Sequence, residues 1–179
     1  MNFFIRALAI GALAVSLAGS AHADSGFAGG PSHGSHSYAF LGNITFQAKD
    51  NQNGQATLQT GFYQSEHIEY GFSLGGSYRS TPANPAFGVP GHFISAGQIG
   101  TLARYHFTGD RVVPYVGIYP NYAFGRGSKG TPIIIGAVGA DIFIQPQVSL
   151  VAEIAAVRST DNAPATVGEL NIGLKVFSR

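Results

Sequence analysis

The chain has 179 residues, 45% of them hydrophobic and 11% charged, where an average soluble domain carries roughly 25% charged residues. Ten Lys and Arg stand against nine Asp and Glu, leaving neither a basic excess for phosphates nor an acidic tail, which excludes nucleic acid as the leading partner. The absence of Cys excludes disulfides, thiolate-bound zinc and thiol catalysis, and 25 Gly with 8 Tyr and 13 Phe but no Trp favour strands and turns over a helical bundle.

Residues 1–23 carry one early cation, Arg6, then an apolar run from Ala7 to Ala18, then Ala21-His22-Ala23. This order is that of a secretory signal cleaved before Asp24, and the apolar run is shorter than the ~20 residues of a spanning helix. Removing these 23 of 179 residues leaves 156, with nine basic and nine acidic residues because Arg6 departs. Residues 24–37 form a flexible leader rich in Gly, Ser and His, and residues 38–179 form one β domain.

Eight strands are predicted from apolar residues that recur with period 2, the repeat of a ribbon with two unlike faces. The first (38–47) sets Tyr38, Phe40, Ile44 and Phe46 against Ala39, Leu41, Asn43, Thr45 and Gln47, and the second (56–63) sets Ala56, Leu58, Thr60 and Phe62 against Thr57, Gln59, Gly61 and Tyr63. In the third (68–79), Ile68, Tyr70, Phe72 and Leu74 oppose Glu69, Gly71, Ser73, Gly75, Ser77 and Arg79. The fourth (92–107) and fifth (112–124) alternate less cleanly, and Pro114 and Pro120 remove ladder donors from the fifth. The sixth (131–143) and seventh (148–158) are apolar on nearly both faces, with Asp141 and Glu153 as the polar exceptions. The eighth alternates Leu170, Ile172, Leu174 and Val176 with Glu169, Asn171, Gly173 and Lys175.

Connections alternate in length. Those at 48–55, 80–91, 125–130 and 159–165 are long, and those at 64–67, 108–111 and 145–147 are short. In an up-and-down sheet, alternate connections share an end, so the long ones gather at one end and the short ones, with both termini, at the other. Outer-membrane barrels have this asymmetry, with short periplasmic turns and longer outside loops. Two aromatic girdles are expected: Phe40, Phe62, Tyr70, Phe72, Tyr105, Phe107 and Phe143 near the short turns, and Phe46, Tyr78, Phe93, Tyr122 and Phe124 near the long loops. Period alone fits a soluble barrel equally well, but too few charges exist to hydrate an outer wall, which places the polar face inside and the apolar face in lipid.

The segments Pro114-Tyr115-Val116-Gly117-Ile118 and Gly139-Ala140-Asp141-Ile142-Phe143, the latter running through Gln147-Val148-Ser149-Leu150-Val151-Ala152-Glu153, resemble a strand and a hairpin of the small eight-stranded outer-membrane β-barrel family that includes the OmpX and opacity-type surface proteins. The resemblance implies an all-β fold: an eight-stranded antiparallel up-and-down transmembrane β-barrel preceded by a cleaved signal peptide. The chain departs from the family at its C terminus. Such barrels end in an aromatic residue preceded by apolar residues at alternate positions, whereas here Phe177 is followed by Ser178 and Arg179, and the apolar series ends at Val176.

Facing the polar side inward brings Glu69, Arg79, Arg104, Asp141, Glu153, Glu169 and Lys175 into the interior, with His106 a further candidate. An eight-stranded barrel has room only for side chains, and buried charges must be paired, so these residues are expected to form an ion-pair plug. Glu153 and Glu169 lie on neighbouring strands and need a cation, for which Lys175 and Arg104 are available. His33 and His36 in the leader are spaced for a transition metal only if a carboxylate such as Asp24 joins them. Ser65, Glu66, His67 and Glu69 cluster at a short turn, and His92 lies near Ser95 and Ser80 at the long-loop end. The first set is placed at a periplasmic turn, far from outer-leaflet lipid, and in the second His92 and Ser95 have opposite strand parity and no orienting acid, so neither is read as a nucleophilic site.

The sequence therefore reads as a monomeric, non-enzymatic outer-membrane barrel without metal or cofactor. Its role is in membrane integrity or in surface contact through its outside loops, the longest of which (80–91) contains Pro82, Pro85, Phe87 and Pro90. Its expected partners are outer-membrane lipid and lipopolysaccharide, the barrel-assembly machinery during biogenesis, and an unspecified surface ligand. A narrow porin-like channel for small solutes or ions and a lipid-modifying enzyme are the alternatives.

Overall fold

A computed structural model describes residues 31–44, 52–81, 92–125, 128–159 and 166–178. The segment read as a signal, the first part of the leader and most of the four long connections lie outside the described residues. The strands are β1 (His36–Ile44), β2 (Gln52–Tyr63), β3 (Ile68–Thr81), β4 (His92–His106), β5 (Val112–Gly125), β6 (Ser128–Gln145), β7 (Val148–Ser159) and β8 (Thr166–Ser178). Each pairs antiparallel with the next, and β1 pairs with β8 from His36↔Ser178 to Ile44↔Leu170, closing the barrel. Closure leaves no sheet edge, the condition for backbone polar groups to survive in hydrocarbon.

Several strands run beyond the bounds expected from alternation. β2 starts at Gln52, where Gln52-Asn53-Gly54-Gln55 pair with Ser80-Arg79-Tyr78-Ser77. β6 and β8 are likewise extended at both ends. The ladder continues as long as its partner strand does, whereas the apolar code is needed only where the wall meets hydrocarbon. At the other margin β1 begins at His36, inside the segment read as leader. Just before it, Gly34 takes a φ of 81°, a left-handed conformation that glycine adopts without a Cβ penalty, and its N–H donates to the Tyr63 carbonyl at 2.8 Å. Pro120 has no N–H to give, and the β4–β5 pairing is carried past it by Gly100↔Asn121 and Ala103↔Ile118.

The molecule is the inverse of a water-soluble protein. Phe72, Tyr38 and Phe40 point outward at 66%, 56% and 56% exposure, while Glu69, Arg104, Asp141 and Lys175 are buried inside at 3% or less. An apolar wall of this extent is incompatible with water and matches a transmembrane barrel. A depression of about 560 Å³ among Tyr38, Leu58, Phe72, Ile99 and Leu174 belongs to this lipid-facing wall.

At the short-connection end, outward Phe62 meets Tyr70 with ring centroids 5.7 Å apart and Tyr105 meets Phe107 at 5.3 Å, as in an aromatic belt. Tyr78, Tyr122 and Phe124 are exposed near the opposite end. Phe46 and the side chain of Phe93 lie outside the described residues. Phe143 is not part of the belt. It shares the inward parity of Asp141, is buried, and stacks on Phe177 at 5.2 Å; its aromatic character suggested the girdle, but alternation along β6 puts it on the inner side with Asp141. Phe177 is inward and Val176 outward. The terminal aromatic thus closes the lumen instead of ending the lipid-facing series.

Inside the lumen three apolar clusters are stacked. Tyr63, Val113, Phe143 and Phe177 gather at the short-connection end, Ala39, Leu41, Tyr115 and Val151 form a second, and Leu102, Tyr119, Ile135, Ala137 and Ala155 form a third. The charged groups are threaded between these layers.

Candidate functional site: the charged lumen

Glu69 on β3 is the hub. Its Oε2 is met by Lys175 Nζ on β8 at 2.9 Å, His106 Nε2 on β4 at 2.9 Å and Arg104 Nη1 on β4 at 3.4 Å. The Ser37 hydroxyl on β1 donates to its Oε1 at 2.5 Å. Lys175 Nζ also reaches Asp141 Oδ2 on β6 at 3.2 Å and donates to the Tyr63 hydroxyl on β2 at 2.8 Å.

Arg104 links this lower cluster to an upper one. Its Nη2 donates to Gln59 Oε1 at 2.5 Å and lies 3.5 Å from Glu153 Oε2 on β7, while its Nε donates to the Tyr119 hydroxyl at 2.9 Å. The guanidinium lies over the rings of Tyr115 and Tyr119 on β5, at 4.8 and 5.1 Å, a cation–π arrangement that suits Arg in a dry site. Both tyrosine hydroxyls donate to Glu153 Oε2, that of Tyr115 at 2.9 Å, and Asn171 Nδ2 donates to its Oε1 at 2.9 Å. Every strand of the barrel enters this one connected network.

The partner assignment differs from the sequence reading. Lys175 pairs with Glu69 and Asp141 and does not reach Glu153 or Glu169. The register explains why: Lys175 lies opposite Ser149, and Glu153 lies opposite Asn171, four residues further along the ribbon, about 13 Å away at the usual rise. Glu153 takes Arg104 instead. Glu169 is half-buried and lies opposite Ala155. Arg79 pairs in register with Asn53 and Ile94, and its side chain lies outside the described residues.

Tyr63, Tyr115, Tyr119, Gln59, Ser37 and Asn171 belong to the network but were not candidates in the sequence. Their signal was available: each has inward parity and a hydroxyl or amide that can satisfy a buried charge.

Seventeen chains of known structure match this one. The N-terminal β-barrel domain of Pseudomonas aeruginosa OprF superposes with a TM-score of 0.58 at 12% identity, over 83% of this chain and 100% of that one. The outer membrane protein OprG from Pseudomonas aeruginosa gives 0.56 at 8% identity over 86% and 99%, and the Neisserial surface protein A gives 0.52 at 18% identity over 79% and 94%. The chain has the fold of the small eight-stranded outer-membrane β-barrels. No family model and no curated protein sequence matches it, and at these identities the structural likeness concerns the fold alone.

On this outer-membrane barrel fold, the remaining candidates are held in other ways. Ser65 Oγ accepts from the backbone N–H groups of His67 at 3.3 Å and Ile68 at 3.1 Å. The His67 ring donates through Nδ1 to the His106 carbonyl at 2.9 Å and stacks on Tyr105 at 5.7 Å. This is a turn tied to its neighbour, with no hydrogen bond between Ser65 Oγ and the imidazole. In the second set, Ser95 pairs with Tyr78 and His92 with Thr81, and the side chains of His92 and Ser80 lie outside the described residues. His33 donates to the Gln64 carbonyl at 2.5 Å while the His36 ring packs on Phe62 at 5.3 Å, so the two imidazoles have separate partners. Among the described residues no group of three or more His, Cys, Asp or Glu could hold a metal ion.

Gly61 provides a direct probe of the lumen. A Cβ built at Gly61 would collide with the Glu69 carboxylate and Ser37 Oγ, and Glu69 is pinned by Lys175, Arg104 and His106 and so has nowhere to move. Gly61→Ala is expected to cost about 1–3 kcal/mol, the range for overpacking a filled interior, measured by urea titration of the barrel refolded in vesicles. A neutral result would mean that the hub carboxylate is mobile.

Proposed function

We propose that the chain is a monomeric, non-conducting and non-enzymatic outer-membrane β-barrel, which contributes to membrane integrity and presents its long connections at the cell surface. The observation that carries this reading is the double closure of the lumen: the network from Ser37 to Lys175 crosses it, and the cluster of Tyr63, Val113, Phe143 and Phe177 fills its short-connection end. The polar cavity above the network, lined by Gln55, Thr57, Gln98, Asn121, Glu169 and Asn171, measures about 20 Å³, room for about one water molecule.

In this reading the short connections and both termini face the periplasm and the long connections face outward, as in other outer-membrane barrels. Its partners are outer-membrane lipid and lipopolysaccharide along the apolar wall, the assembly machinery during insertion, and a surface ligand reached through the loops. The name of the Neisserial surface protein A fits such a role by analogy of fold. The main alternative, a narrow channel for small solutes or ions, requires the ion pairs to separate.

Planar-bilayer recording tests the two readings. The purified barrel is expected to give no steady pore, only rare small openings, and Lys175→Gln, which takes the shared cation from Glu69 and Asp141, is expected to make them more frequent. Steady high conductance from the unmutated barrel would establish the channel reading instead.

A further inference from the structure

Three buried polar atoms low in the lumen have no protein partner: His106 Nδ1, Asp141 Oδ1 and Ser149 Oγ. All three residues are fully buried, and the architecture gathers them. Across β6 and β7, Asp141 faces Val151 and Phe143 faces Ser149, so Asp141 and Ser149 are diagonal neighbours on the inner face, within reach of a common bridging group. His106 Nδ1 lies 3.7 Å from Asp141 Oδ2, too far for a direct hydrogen bond.

Their hydrogen-bond valences complement one another. His106 Nε2 faces a carboxylate oxygen of Glu69 at 2.9 Å, and that oxygen can only accept, so in the neutral ring Nε2 carries the hydrogen and Nδ1 presents a lone pair. Asp141 Oδ1 is a second acceptor. Ser149 Oγ–H is a donor. Two acceptors and one donor match a water molecule, which gives two hydrogens and accepts one, and buried waters typically make about three such bonds to groups that would otherwise be unsatisfied. A metal cation fits poorly, because Lys175 Nζ already stands 3.2 Å from Asp141 Oδ2 and would repel it.

We propose that the lower lumen binds a single occluded water molecule, which donates to His106 Nδ1 and Asp141 Oδ1 and accepts from Ser149 Oγ. It joins β4, β6 and β7 at a point that the direct ion pairs leave unlinked. The apolar cluster of Tyr63, Val113, Phe143 and Phe177 separates it from the nearer barrel mouth.

A crystal structure of the detergent-solubilised barrel that shows ordered water tests this directly. Density is expected within ordinary hydrogen-bond distance of all three atoms, and in Ser149→Ala that density should weaken or vanish. In solution, water-to-amide Overhauser effects at β6 and β7 residues around Asp141 and Ser149 should report a slowly exchanging water. Direct bonding among the three groups with no density between them overturns the proposal. So does a rubidium anomalous peak at that point in crystals grown with rubidium, which would make the ligand a cation.

Discussion

Replacing Glu69 by leucine is expected to cost about 3–5 kcal/mol, the range for removing one partner from a buried ion-pair network. Glu69 is the only carboxylate among the described residues that meets Lys175, Arg104 and His106 together, so its loss leaves Lys175 with Asp141 and Arg104 with Glu153. Urea titration of the refolded barrel would measure the cost. Glu66→Gln, three residues earlier but exposed at a turn, should stay within about 0.5 kcal/mol, as surface substitutions do. The double variant Glu69→Leu with Lys175→Met should cost less than the sum of the two single variants, with a coupling of about 0.5–3 kcal/mol for residues in direct contact. If Glu69→Leu costs no more than Glu66→Gln, the network is solvated and the closed-lumen reading fails.

The part of this site that was legible in the sequence is the part that follows from period 2. Glu69, Arg104, Asp141, Glu153 and Lys175 share the inward parity because successive side chains alternate across a strand, and no partner need be known to place them on that face. Which cation meets which carboxylate was not legible. Lys175 reaches Glu69, three strands away around the closed sheet, by a chord across the lumen, and that chord depends on the stagger of the strands, which no local pattern encodes. Phe143 is a different case: its aromatic ring pointed to the girdle, but it has the parity of Asp141 two residues before it, and period 2 puts both on the lumen side. Strand ends were misjudged wherever polar ladders such as Gln52 to Gln55 continue past the hydrocarbon.

Ile172 and Asn171 are adjacent residues with opposite environments, and the same charge placed at each should give very different results. Ile172 is the middle residue of β8, is 49% exposed on the outer wall and is flanked by Gly42 and Ala152. Ile172→Arg would set a guanidinium against hydrocarbon near the midplane, at an expected cost of about 2–4 kcal/mol. Asn171 faces the lumen and donates to Glu153, where an added cation finds a carboxylate, so Asn171→Arg should cost less. Refolding titrations in lipid vesicles measure both variants. Equal costs, or the reverse order, would show that the faces are inverted.

Because all eight strands feed one network, that network also acts as a check on assembly. No run of consecutive strands can satisfy it alone: β3 and β4 bring Glu69 with Arg104 and His106, but the cation shared by Glu69 and Asp141 arrives only with β8, the last strand of the chain. A one-residue slip of β8 against β1 or β7 would turn Lys175 out into lipid and Val176 inward, so a misregistered closure is penalised on both walls at once. The charges that hold the finished lumen shut therefore also discriminate between a correctly and an incorrectly closed barrel, a proofreading role that an all-apolar lumen of the same volume could not perform.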